Sequence, residues 1–159
     1  MIREAIEDDA YKIALIYNHY ILNSTITFDE KVIDSNMIKE RLTSNKKLKW
    51  WVYDKEGKIL GYAYPSLWKR RSAYRYTVET SIYIAPGFQR KGIGILLYNH
   101  LLKALKVGGF HIALAGISLP NDASIAFHEK IGFKKVGQLE RVGFKFNKWI
   151  DIGYWELKL

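Results

Sequence analysis

Residues 77–105 constrain this chain more than any other stretch. Val78, Thr80, Ile82 and Ile84 alternate with Thr77, Glu79, Ser81 and Tyr83, the two-residue period of a strand. Pro86-Gly87 stops that strand, and a loop with Gly87, Gly92 and Gly94 follows. A helix then opens near Gly92, with Ile93, Leu96, Leu97, His100, Leu101, Ala104 and Leu105 as its apolar stripe and Gly108-Gly109 as its stop. A strand feeding a helix through glycines needs a sheet for the strand and a sheet face for the helix.

The rest of the chain supplies both. Residues 2–6 read as an edge strand. Asp8 or Asp9 can cap a helix whose Ile13, Ile16, Tyr17, Tyr20 and Ile21 share one face, and a weaker helix follows Asp34 with Met37, Ile38, Arg41 and Leu42. Residues 49–53 and 59–64 form a hairpin around the charged turn 54–58, and Pro65 ends its second strand. Residues 112–118 make a strand closed by Pro120. Asn121 or Asp122 caps a short helix through Ile131, with Gly132 at its end. Residues 133–159 alternate aromatic and polar side chains around a turn near Asn147-Lys148, and read as strands. The expected order is β-α-α-β-β-β-α-β-α-β-β, an α/β mixed sheet with helices packed on its faces. At 159 residues without a linker or repeat, residues 1–159 are expected to form one domain.

Composition narrows the chemistry. There is no cysteine, which removes disulfides, thiolate metal sites and a cysteine nucleophile. His19, His100 and His111 share no ligand spacing, and no second histidine follows His128-Glu129, so no metal is expected. Acidic residues near the start stand where a signal peptide would be apolar, and no apolar run reaches bilayer length. A cytoplasmic protein without membrane contact is the expectation. The 25 basic against 16 acidic residues give +9, a surplus that attracts polyanions such as a phosphorylated cofactor or nucleic acid.

The loop Gln89-Arg90-Lys91-Gly92-Ile93-Gly94 suits a pyrophosphate: a helix start offers unpaired N–H groups and positive potential, and Arg90 and Lys91 add charge. It is neither of two better-known phosphate loops. Ile93 stands where a P-loop needs lysine, and Leu97 where a dinucleotide fingerprint needs its third glycine. A helix that merely starts at a glycine turn is the plain alternative.

Residues 89–94 resemble the Q/R-x-x-G-x-G/A signature of the GNAT N-acetyltransferases. Residues 121–133, with Asn121, Ser124, Phe127, His128 and Gly132-Phe133, resemble that family's second cofactor-contacting segment, and the element order matches its fold. Residues 77–83, 124–133 and 142–151 together resemble the phosphinothricin and methionine sulfoximine branch. The resemblance implies the GNAT fold, a mostly antiparallel central sheet with helices on both faces. It also implies acetyl transfer from acetyl-CoA to the primary amine of a small amino-acid-like acceptor by direct attack in a ternary complex, and a homodimer.

By the same resemblance, the backbone of Ile82, Tyr83 and Ile84 pairs with the pantetheine arm, and Gln89, Arg90, Lys91, Gly92, Ile93 and Gly94 hold the pyrophosphate. Asn121 and Ser124 then touch the arm from the other side. Glu79 is the candidate base: it shares the polar face with Thr77 and Ser81, where half-burial raises a carboxyl pKa. An N–H near Tyr83 is the expected oxyanion donor. His128 stands where many relatives carry tyrosine as the acid for the thiolate; an acid, a base and a structural residue all remain open. Arg75, with Arg71, is the candidate for the acceptor carboxylate, and Phe28 and Tyr74 for the walls of its pocket.

Two rivals stand beside this reading. One is acetylation of a protein N-terminus or another amine. The other is nucleic-acid binding through Trp68, Lys69, Arg70, Arg71, Tyr74, Arg75 and Tyr76, with Lys46, Lys47 and Lys49. No nucleic-acid motif accompanies those residues, and no such partner is expected.

Overall fold

The computed structural model describes residues 1–159. Its elements follow the expected order: β1 (Ile2–Glu4), α1 (Ala10–Asn23), α2 (Ser35–Thr43), β2 (Trp51–Lys55), β3 (Lys58–Leu67), β4 (Thr77–Ile84), α3 (Ile93–Val107), β5 (Ile112–Leu119), α4 (Asp122–Ile131), β6 (Lys134–Lys145) and β7 (Lys148–Lys158). Short 3-10 turns at Glu7–Asp9 and Ser72–Tyr74 precede α1 and β4. The strands form one sheet in the order β1-β2-β3-β4-β5-β7-β6. Every pairing is antiparallel except β4 with β5.

Each face of the sheet has its own core, because alternate strand residues point opposite ways. On one face Ile13, Tyr17 and Ile21 of α1 and Ile38 of α2 pack on Val52, Tyr62 and Tyr83. On the other, Leu97, Tyr98 and Leu101 of α3 pack on Val78, Ala113, Ala115 and Trp155. Helices therefore cover both faces.

Three local expectations are corrected. Pro65 does not end β3, which runs on to Leu67 against β4 with Pro65 opposite Thr80. Leu60 accepts from Ala85 N–H across β4, so even-numbered β3 residues face β4 and Pro65 faces β2. The β2 ladder ends at Trp51 opposite Ala63, so the proline's missing N–H costs no rung.

Asp9 precedes α1 without capping it. Its carboxylate instead takes the Arg3 guanidinium at 2.7 and 2.8 Å and the Ile6 N–H at 3.0 Å. The stripe of α3 is rotated: Leu96 is exposed, while Tyr98 and Leu102 are buried. The short helix does begin as expected, with Asn121 Oδ1 accepting from Ser124 N–H at 3.1 Å.

Candidate active site

The sheet comes apart at its centre. β4 pairs with β3 from Val78 opposite Leu67 to Ile84 opposite Gly61. On its other side it pairs with β5 only through Thr77, Val78 and Glu79, the last opposite Leu114. β5 stays with β7 to its end. A gap therefore opens beyond Glu79.

Alternation fixes which peptide groups face this gap. Ala85 N–H bonds across to β3, as do the other odd-numbered residues of β4, so Ile82 and Ile84 turn toward the opening. The N–H groups near Tyr83 that face the gap are those of Ile82 and Ile84; Tyr83 itself is committed to the β3 ladder opposite Tyr62, and its ring is buried among Tyr17, Tyr20 and Tyr62. The Ile84 carbonyl already accepts from Tyr20 Oη at 2.6 Å.

The glycine loop lies at the end of this gap. Gln89 Oε1 accepts from Gly87 N–H at 2.9 Å, and Gln89 Nε2 approaches Tyr20 Oη at 3.4 Å, tying the loop to the strand edge. Arg90 and Gly92 have φ of 61° and 79°, and a Cβ at Gly92 would meet nothing within 4 Å. No side chain caps α3, and its first-turn N–H groups have no partner within the helix. At Gly94 a Cβ would come 3.4 Å from Phe127 of α4, at the edge of ordinary contact. Lys91 Nζ sits 4.8 Å from the centre of the Phe88 ring, and Lys58 Nζ stands at the same distance. Lys58 and Tyr20 escaped the sequence reading because no local spacing links either one to the loop.

Glu79 is half-buried at the last position of β4 that pairs with β5. Burial raises its carboxyl above the ordinary range, and Lys69 pulls partly the other way. A Cβ on Gly116 of β5 would lie 2.8 Å from Glu79 Oε1 and 3.4 Å from the Tyr154 ring. Carboxylate and phenol therefore crowd the space above that glycine. On the same face a cleft of about 380 Å³ is lined by Trp68, Tyr74, Thr77, Leu114, Val136 and Tyr154, among others. A larger one, about 440 Å³, lies remote from Glu79 between the β1–α1 turn and the end of α2.

Tyr74 lines this cleft, against Trp68 at 5.1 Å. Arg75 is exposed, its guanidinium 4.6 Å from the Tyr76 ring and bonded to the Ser72 carbonyl, and no carboxylate of the protein pairs with it. Arg71 is exposed at the turn before it. Phe28 is pressed on Gly143 of β6 with no room for a Cβ between. Nearby, Lys145 Nζ donates to the Thr27 carbonyl at 2.8 Å.

His128 is buried. Nδ1 lies 2.8 Å from the Ser124 carbonyl and 3.3 Å from Ser124 Oγ, and Nε2 lies 3.1 Å from Tyr98 Oη. Burial lowers its pKa, with the Ser124 carbonyl opposing. Asn121 spends its side-chain oxygen on the cap of α4, leaving its amide hydrogens for any ligand.

Known proteins share this fold. The model of the acetyltransferase (GNAT) domain matches residues 2–153. A phosphinothricin N-acetyltransferase of Streptomyces viridochromogenes is 38% identical over 156 residues, covering 98% of this chain and 85% of that protein. An L-methionine sulfoximine/L-methionine sulfone acetyltransferase of Salmonella typhimurium is 32% identical, covering 99% and 94%. Among solved structures, a phosphinothricin acetyltransferase of Sinorhizobium meliloti in complex with acetyl-CoA superposes with a TM-score of 0.95 at 32% identity, over 100% of this chain and 88% of that one. A strand that leaves its neighbour beside a glycine loop, in a chain this similar to acetyltransferases from end to end, leads to one conclusion: the chain belongs to the GNAT acetyltransferase family.

Proposed function

We propose that residues 1–159 form one domain that transfers an acetyl group from acetyl-CoA to the amine of a small amino-acid-like acceptor, of the phosphinothricin, methionine sulfoximine or methionine sulfone type. The observation that carries this is the parting of β4 from β5 immediately after Glu79. It leaves strand-edge amides unpaired beside a half-buried carboxylate, with the uncapped start of α3 at the far end. The gap is what an extended pantetheine arm fills by adding itself as a strand.

Acetyl-CoA supplies the acyl carbon: a C–N bond forms, the C–S bond breaks, and the thiolate leaves with a proton. The chain's own work is to orient the reactants and to move protons. An α-amino group, with a pKa near ~7.7–8.0, is largely protonated at neutral pH. Glu79, its carboxyl raised by burial, takes one proton and frees the lone pair. The nitrogen loses its next proton as the sulfur departs and gains one. The N–H groups of Ile82 and Ile84 are the available oxyanion donors. Gln89, Arg90, Lys91, Gly92, Ile93 and Gly94 hold the pyrophosphate, and Asn121 and Ser124 flank the arm. Arg75, with Arg71 beside it, takes the acceptor carboxylate, and Tyr74 walls the cleft.

A homodimer belongs to the same reading. β6 is a free sheet edge, and Val142, Phe144, Phe146 and Trp149 on the β6–β7 arm are about half exposed, an apolar patch that a second copy would cover. A monomer in sedimentation at assay concentrations would end that part. The cysteine-free composition supports a cytoplasmic location, and no helix is long and apolar enough to cross a membrane.

The test is thiol release from acetyl-CoA across phosphinothricin, methionine sulfoximine, methionine sulfone and N-terminal peptides. Amino-acid acceptors should turn over and peptides should not. Glu79→Gln should lower kcat by ~10²–10⁴ with acetyl-CoA binding retained. It should also remove the acidic limb of the wild-type profile, where activity falls as pH drops through the raised Glu79 pKa. No thiol release with any amine refutes acetyl transfer. An unchanged rate in the variant removes Glu79 from the mechanism.

A further inference from the structure

His128 belongs to a buried chain of hydrogen bonds that crosses four elements. Its Nε2 lies 3.1 Å from Tyr98 Oη, Tyr98 Oη lies 2.6 Å from Thr80 Oγ1, and Thr80 Oγ1 donates to the Leu114 carbonyl at 3.0 Å. Thr80 and His128 are each 5% exposed and Tyr98 is 0%. α4, α3, β4 and β5 are joined in that order.

Counting protons shows how the chain is satisfied. The threonine hydroxyl has one proton and spends it on Leu114. A charged ring satisfies every contact at once: Tyr98 donates to Thr80 Oγ1, Nε2–H to Tyr98 and Nδ1–H to the Ser124 carbonyl. In the neutral ring the 2.8 Å contact to the Ser124 carbonyl is a hydrogen bond when Nδ1 carries the proton, and Nε2 then accepts from Tyr98 Oη. In either state both ring nitrogens are engaged by the protein's own groups, and the chain ends on the Leu114 carbonyl rather than at the gap.

The end point is what gives the chain a task. Leu114 is the partner of Glu79 at the last rung shared by β4 and β5, and Thr80 is the first residue beyond it. A phenol on an apolar helix face costs free energy to bury unless its hydroxyl is bonded, and pure packing at this position would be met by phenylalanine. The geometry points to His128, Tyr98 and Thr80 as positioning residues: they brace the fork between β4 and β5, fixing the width of the gap and the place of Glu79, while touching neither reactant. This rests on the acetyl-transfer reading for its kinetic consequences, but not for its structural ones.

Tyr98→Phe and Thr80→Val each remove one hydroxyl with little change of shape, and His128→Gln removes the ring. Each should raise the acetyl-CoA Kd and KM and lower kcat, by about tenfold or less per lost bond. The Tyr98→Phe/His128→Gln double variant should be no worse than its worse parent. The basic limb of the pH–rate profile should be the same in all, and Thr80→Ser should restore wild-type behaviour. Hydrogen exchange at residues 80–82 and 114–116 of the unliganded protein should accelerate in Tyr98→Phe, a readout that needs no turnover. The inference is overturned if Tyr98→Phe and Thr80→Val match wild type while His128→Gln loses kcat a hundredfold and its basic limb. Unchanged exchange in Tyr98→Phe overturns it equally. A wild-type protein that turns over no amine while exchange still accelerates refutes acetyl transfer and leaves the brace standing.

Discussion

Gly116→Ala should make this protein slightly more stable and much less active. Gly116 lies in mid-strand, where glycine weakens a sheet, and its φ is not positive, so the backbone does not require it. Space does: the added methyl would sit 2.8 Å from Glu79 Oε1, where ordinary contact begins at 3.4 Å. The obstacle is the far end of a flexible side chain, so the carboxylate retreats by roughly half an ångström and the sheet stays. Misplacing a reacting group by about 1 Å can cost ~10²-fold. The expected loss of kcat is therefore ~10-fold to 10²-fold, within the ceiling set by losing the base altogether.

Alanine restricts the unfolded chain more than glycine does, which stabilises by about 0.4–1 kcal/mol, or roughly 1–4 °C in Tm for a domain of this size. Thiol release gives kcat, calorimetry the acetyl-CoA Kd, and a thermal melt the Tm. Wild-type kcat in Gly116→Ala would refute the placement of Glu79 as base. A fall in kcat accompanied by a fall in Tm would show that the methyl disturbs packing instead.

Two further outcomes concern groups at the periphery. Arg75→Ala should raise the KM for amino-acid acceptors and leave that for acetyl-CoA alone, and unaltered acceptor kinetics would free Arg75 of the carboxylate. Arg3→Ala should destabilise the fold by about 1–3 kcal/mol, because it strips the partner from the buried Asp9 carboxylate. Burial alone would raise the Asp9 pKa, but Arg3 and the Ile6 N–H outweigh it and hold the carboxyl below its ordinary 3.8. The wild-type pair thus contributes fully above that value and is lost as pH falls below it. Urea midpoints taken from pH 6 downward should converge between wild type and Arg3→Ala in that window; a constant difference contradicts the assignment.

Much of the site was legible in one dimension because its parts are local. Residues 77–84 alternate, residues 89–94 carry the loop, and Asn121 stands three before the Ser124 amide it caps, all spacings that backbone geometry imposes on sequence. The errors fell where a residue's fate depends on a distant neighbour. Pro65 is tolerated inside β3 only because β2 has already ended beside it. Asp9 leaves its capping role because Arg3 reaches it. The seating of Phe28 on Gly143 is likewise a contact that no spacing within the α1–α2 loop could reveal.

The order of elements, the glycine loop and the acid on the central strand were determined by the sequence itself, since helix and strand periods, turn residues and caps act over a few neighbouring residues. The fork after Glu79, the crowding of that acid against Gly116 and the burial of His128 between Ser124 and Tyr98 were decided by tertiary structure. Each arises from strand register and from hydrogen bonds between residues far apart in the chain, and a buried polar group is satisfied by whichever partner the packed fold brings within 3 Å or so.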